Sequence, residues 1–139
     1  MKLFAIDTNI YIDYIVKGLS CFSKLVNHYF KLFENKECTL YVPSICFWEI
    51  TRKIYSGKLK IENKSPEDSL LIIQRPFNEV ENIRDLLLTR KAASLAPTFS
   101  NKLSDPFDQL IVASAMEANL PLITKDKNIQ ESKLIRTVW

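Results

Sequence analysis

Histidine is almost missing from this chain: His28 is the only one in 139 residues. A zinc centre of the usual kind, a histidine-dependent triad and an imidazole acid/base pair are all disfavoured, since each leans on a group that changes charge near neutral pH. Cysteine is scarce too. Cys21, Cys38 and Cys46 are odd in number, widely spaced and set among apolar neighbours, with no Cys-x-x-Cys pair for zinc or redox work. All three read as buried, reduced thiols. No apolar run approaches the roughly 20 residues of a membrane span, and the acid at Asp7 comes too early for a signal peptide. A soluble, cytoplasmic protein with no membrane partner is expected. Repeats, low-complexity tracts and linkers are absent, and so is any one-sided charge, because 19 basic residues face 16 acidic ones for a net +3. That excess suits a polyanion held at a basic rim, but on its own it is equally a solvated surface.

What remains is ordinary globular composition, 47% hydrophobic and 25% charged, which argues against disorder. The length fits one domain over residues 1–139, with one core and no need of staples. An enzyme built on this chain must work with carboxylates.

Residues 2–6 read as a buried strand, followed by a helix from Thr8 to Lys17 that Gly18 ends. A second helix is expected from Ser20 to Glu34, then a strand over Cys38–Val42. Pro43 is placed in the first turn of the next helix, which Gly57 closes. Between Lys58 and Ser100, Pro66-Glu67-Asp68 marks a helix start, Pro76 interrupts, and another helix runs from Val80 to Leu95 ahead of Pro97. The remainder reads as a helix over Pro106–Ala118, a turn at Asn119, a strand over Leu122–Thr124, a helical turn near Asn128 and a strand over Leu134–Val138. Strands alternating with helices predict a parallel sheet with right-handed crossovers.

Four acids stand where such a sheet builds ligand sites. Asp7 and Asp126 each follow a short apolar strand; if those strands are neighbours where strand order reverses, the two face one another across a cleft. Glu49 lies in the first two turns of the helix after the second strand. Asp108 lies in the first turn of the helix opened by Pro106. Carboxylates about 5 Å apart repel by about 3 kcal/mol per pair at an effective dielectric near 20, so the group needs a cation or must stay partly protonated. An all-oxygen donor set selects a hard ion, Mg²⁺ or Mn²⁺, able to orient a water for in-line attack on phosphorus. Phosphodiester hydrolysis is the matching chemistry.

Each acid has a plainer reading beside the catalytic one. Asp7 can simply cap its helix, Glu49 can pair with Arg52 or Lys53, and Asp126 can belong to a turn with Lys125 and Lys127. Asp105 is read first as an N-cap, directly before Pro106 at the favoured first helical position. Arg52, Lys53, Lys125 and Lys127 are candidate contacts for a phosphodiester polyanion.

The strings Phe4-Ala5-Ile6-Asp7-Thr8-Asn9, Trp48-Glu49-Ile50, Asp105-Pro106-Phe107-Asp108-Gln109-Leu110-Ile111-Val112-Ala113 and Leu122-Ile123-Thr124-Lys125-Asp126 resemble the PIN-domain family. In order and spacing they are similar to the VapC-like toxin ribonucleases. The resemblance spans nearly the whole chain. It implies a three-layer α/β/α sandwich with a central parallel sheet and Mg²⁺- or Mn²⁺-dependent endoribonuclease activity leaving a 5′-phosphate. It further implies Asp7, Glu49, Asp108 and Asp126 as the acidic metal-binding set, with Thr8 or Asn9 as polar companion of the first acid. The implied partners are RNA, a second copy of the chain and a small antitoxin. The stretch from Lys58 to Ser100 does not align with the pattern.

Three rivals are weighed against this reading. A PIN-like module that binds RNA or protein without cutting would have no need of all four repelling acids. A phosphatase of the haloacid dehalogenase type needs a second Asp two residues after the first, where this chain has Asn9. A housekeeping RNA-processing nuclease shares every feature of a toxin at this level.

Overall fold

The strand Lys2–Ile6 (β1) becomes wholly apolar at its end, with Phe4, Ala5 and Ile6 buried, and so delivers the chain to Asp7 at the carboxyl edge of the sheet. The computed structural model describes residues 2–139. Helix α1 covers Thr8–Lys17 and stops at Gly18, whose φ of 68° lies in the left-handed region open to a residue without a Cβ. Then follow α2 (Lys24–Glu34), β2 (Cys38–Pro43), α3 (Ser44–Tyr55), α4 (Pro66–Glu79), β3 (Ile83–Leu86) and α5 (Arg90–Leu95). The chain finishes with α6 (Pro106–Glu117), β4 (Leu122–Ile123), α7 (Lys127–Ser132) and β5 (Thr137–Val138).

The five strands form one sheet in the order β3-β2-β1-β4-β5, every neighbouring pair parallel. Helices on its two faces make it an α/β/α sandwich. From β1 the chain steps outward through β2 and β3, then returns to lay β4 on the other side of β1. Strand order therefore reverses between β1 and β4, and in open sheets of this kind the carboxyl ends at such a reversal border the ligand crevice. Tyr11, Ile10, Leu40, Ile50, Ile111 and Leu122, fully buried, come from α1, β2, α3, α6 and β4, so one core joins the elements that border the crevice. No helix among the described residues is long and apolar enough to cross a membrane.

Several local expectations are corrected. The second helix begins at Lys24, not Ser20, because Gly18–Cys21 forms a 3₁₀ turn and Ser23 supplies the cap, its hydroxyl accepting from the Val26 amide at 3.2 Å. Pro43 ends β2 and does not open α3. It pairs with Leu86 of β3 beyond the point where β1 pairing stops at Tyr41, so its missing amide interrupts no ladder on that side. Cys38 and Cys46 are buried, but Cys21 is only partly so, its thiol turned to the Gly18 carbonyl in the 3₁₀ turn.

Pro76 does not interrupt its helix: α4 runs through it to Glu79. The ring removes the amide that would reach Ile72 and crowds that turn. Ile73, fully buried, anchors the turn from the core, and the buried Tyr11 hydroxyl of α1 donates to the Ile73 carbonyl. The expected helix from Val80 to Leu95 is instead β3 followed by α5. Asn82 fixes the change, its side-chain amide donating to the carbonyls of Phe33 and Cys38 at 2.7 Å each, while its own carbonyl accepts from the Leu40 amide at 3.0 Å. Only Ile83 of β3 is buried; Arg84 and Asp85 face outward, as suits a sheet edge. The last strand is shorter than expected, since only Thr137 and Val138 find partners on the two-residue β4.

Candidate active site

Asp7 follows the last residue of β1, and its amide donates to the Ile123 carbonyl at 3.0 Å, so the β1/β4 pairing continues up to the acid. The residue is 5% exposed. Oδ1 accepts from the Thr8 amide at 2.8 Å, capping α1, and Oδ2 accepts from the Thr124 hydroxyl at 2.7 Å. Burial raises its pKa above the ordinary carboxylate value; the bonds from Thr124 and Thr8 oppose the rise, and the charge of Asp126 adds to it.

Thr124 holds a place in the site that its position in the sequence does not announce. It is fully buried at the end of β4, and besides donating to Asp7 its hydroxyl accepts from the Asp126 amide at 3.0 Å. One hydroxyl thus ties two of the four acids together. A threonine one position after the strand was the available signal, but such residues are common at strand ends. Asp126 itself caps α7, Oδ1 accepting from the Ile129 amide at 3.0 Å.

Glu49 projects from the second turn of α3, and its Oε1 accepts from the Thr8 hydroxyl at 2.8 Å. Arg52 and Lys53, the partners of its plainer reading, do not hydrogen-bond to it; Lys53 acts on it through its charge. Burial, first of all, pushes the Glu49 pKa up, with Thr8 and Lys53 opposing and Asp7 and Asp105 assisting. Thr8 is therefore companion to two acids, its amide serving Asp7 and its hydroxyl Glu49. Asn9 is exposed and takes a different place, its side-chain oxygen 3.5 Å from the Lys53 ammonium.

Pro106 opens α6, and Asp105 caps it, Oδ1 accepting from the amides of Phe107 at 2.8 Å and Asp108 at 3.2 Å. This leaves Asp108 as the third helical residue, half-buried and facing the other acids. Its carboxyl is pushed up to about 8, first by burial and then by the charges of Asp105, Asp7, Asp126 and Glu49. Asp108 thus lies in the field of the other three predicted acids, and Asp7 in turn in those of Asp126 and Asp108. Among the described residues, no three histidine, cysteine or acidic side chains close into a ready-made ion cage.

The donors offered are carboxylate oxygens with threonine hydroxyls behind them. Cys46 lies near the group, but burial raises its thiol pKa far above neutrality, so no thiolate competes. A donor set of this kind fits a hard divalent ion.

Of the basic candidates, Lys125 is engaged with Asp13 at 2.6 Å, and Lys17 lies 3.5 Å from the same carboxylate. Lys127 is exposed at the start of α7. Arg52 lies over the Trp48 ring, 5.4 Å from its centroid, and Trp48 stacks on Phe107 with centroids 4.9 Å apart and 25° between planes. A groove of about 310 Å³ runs beside the acids, lined by Trp48, Glu49, Arg52, Lys53, Asp105 and Phe107 among others.

Known structures share this architecture from end to end. A VapBC complex from Salmonella typhimurium bound to DNA contains a chain 21% identical, with a TM-score of 0.67 over 99% of this chain and 98% of that one. VapBC2 from Rickettsia felis, bound to a DNA fragment from its promoter, gives 18% identity and 0.66 over 98% and 97%. A toxin–antitoxin complex from Klebsiella pneumoniae gives 17% and 0.60 over 98% and 96%. At these identities the likeness is one of fold. No curated protein matches the chain by sequence. A family model for the PIN domain matches residues 4–133, nearly the whole of the α/β/α unit and all four acids, and the chain belongs to the PIN domain family.

Proposed function

We propose that this protein is a metal-dependent endoribonuclease and the toxin of a toxin–antitoxin pair. The observation that carries the proposal is the meeting of Asp7, Glu49, Asp108 and Asp126, from the ends of β1 and β4 and the early turns of α3 and α6, at the crevice where strand order reverses. Asp7 and Asp108 would hold Mg²⁺ or Mn²⁺ directly, Asp126 would complete the set through water, and Glu49 would position the attacking water or hold a second ion. Mg²⁺ keeps several of its waters and so needs few direct carboxylates, which agrees with acids that share a field without closing a cage. Bound there, the ion would lower the pKa of a water and neutralise charge on the leaving oxygen of a phosphodiester.

The chain's own contribution is alignment. Thr124 locks Asp7 to the loop bearing Asp126, and Thr8 sets the carboxylate of Glu49. The basic groups beside the acids and the net +3 support RNA as the polyanion. An antitoxin partner is supported by the toxin–antitoxin complexes among the structural neighbours, and a second copy of the chain by the family reading.

Purified protein should cleave single-stranded RNA with Mg²⁺ or Mn²⁺, leave 5′-phosphate ends, and stop when the ion is chelated. Cleavage that persists in excess chelator would overturn the proposal.

A further inference from the structure

Trp48 is 51% exposed, a large apolar surface to leave in water beside a charged crevice. Packing alone would favour burying the indole. Instead it stands on α3 directly before Glu49 and stacks on Phe107, which stands on α6 directly before Asp108. Each ring is therefore the chain neighbour of one of the proposed catalytic acids. Arg52, one turn on, lays its guanidinium over the indole, and Lys53 and Lys58 line the same groove.

We infer that Trp48, Phe107 and Arg52 form a stacking platform for an unpaired nucleobase, placing single-stranded RNA with one nucleotide in this groove and the next phosphate at the acids. The inference rests on the ribonuclease reading and adds to it a base-binding subsite built from these three side chains. Base-on-aromatic stacking tolerates any base because each has a π face, and an arginine can cap the stack. Arg52 is exposed, so it can move aside for a base or lie on it. Charge favours RNA over an apolar peptide: Arg52, Lys53 and Lys58 neutralise backbone phosphates, whereas Glu49 and Asp105 on the same walls repel them and so leave the aromatic end to the uncharged base.

The test is binding of a fluorescein-labelled single-stranded RNA to the full chain in excess chelator, read by anisotropy, with cleavage kinetics in Mg²⁺ alongside. Trp48→Ala should weaken binding at least about fivefold and raise KM in proportion with kcat nearly unchanged, while Trp48→Phe, which keeps a ring, should recover most of the loss. In a Trp139→Phe chain, where Trp48 is the only remaining tryptophan, single-stranded RNA should quench its emission and a blunt duplex of the same sequence should not. If wild-type protein cleaves RNA but both Trp48 variants bind and cleave as it does, the platform is disproved and the ribonuclease reading stands. If wild-type protein neither binds nor cleaves RNA, both are disproved. Loss of binding to a co-expressed protein partner with RNA affinity intact would also overturn the inference, by making the groove a protein-docking site.

Discussion

Asp105 and Asp108 sit three residues apart at one helix start, and their surroundings give them opposite duties. Asp105 is exposed and spends its carboxylate on two amides, whereas Asp108 is half-buried among like charges. Asp105→Asn keeps a capping acceptor and should leave cleavage within a few-fold of wild type, while Asp105→Ala should cost about 1 kcal/mol of stability. Asp108→Asn should abolish cleavage yet leave the metal-free fold no less stable near neutral pH, where the carboxyl it replaces is held protonated. The same variant alters the pH profile. Folded, Asp108 keeps its proton up to about 8; unfolded, it loses it near 3.8. Between those values the unfolded chain binds fewer protons, so the stability of the metal-free protein should fall as pH rises through that window and level off above it. Burial raises Asp7 and Glu49 in the same direction. Denaturant midpoints in chelator should therefore decline from about pH 5 to about pH 8, and Asp108→Asn should flatten the upper part of that decline. A wild-type midpoint that rises across this range would refute the assignment, as would an inactive Asp105→Asn beside an active Asp108→Asn.

At the level of elements, the acids are held by short-range rules and the surrounding framework by long-range ones. Helix α1 begins at an aspartate, α4 at a serine cap before Pro66, α6 at an Asp-Pro pair and α7 at another aspartate. These starts are visible in sequence because a cap and its amide lie within a few residues. The passage of α4 through Pro76 is not, since its support comes from Tyr11 on a distant helix. Tyr11→Phe should remove the hydroxyl's bond to the Ile73 carbonyl, which keeps its place in the helix ladder, and cost about 1 kcal/mol, seen as a lower melting temperature with the four acids untouched. An unchanged melting temperature would mean the carbonyl finds another donor. Likewise β3 and the two leucines after it read as helix, and Ile83–Leu86 becomes a strand because β2 needs an edge partner and Asn82 bonds across to Phe33 and Cys38.

For the whole molecule, the toxin reading predicts an effect on living cells. Expression of the chain alone should arrest bacterial growth, and Asp7→Asn, matched for protein level, should relieve the arrest; equal toxicity of the two would assign the arrest to another cause. Asp7 is the informative position because it is both buried and shared. Its two oxygens are bonded to Thr8 and Thr124, so the change to Asn keeps the shape of the junction between β1 and β4 while removing its charge.

The sequence by itself determined the features that a few neighbouring residues can encode. An apolar run ending in an acid placed Asp7 and Asp126 at strand ends, the Asp-Pro pair separated the cap Asp105 from Asp108, and Gly18 and Gly57 marked where helices stop. Scarcity of histidine and the absence of paired cysteines left carboxylates as the available chemistry. Only the tertiary structure decided which distant residues meet around the acids: Thr124 on Asp7 across 117 residues, Thr8 on Glu49 across 41, Lys125 drawn off to Asp13 across 112, and the stacking of Trp48 on Phe107. Such contacts have no local signature. Each depends on strand order bringing β4 beside β1 and on helix packing bringing α3 beside α6, and the free energy that selects those neighbours belongs to the assembled core, not to any one segment.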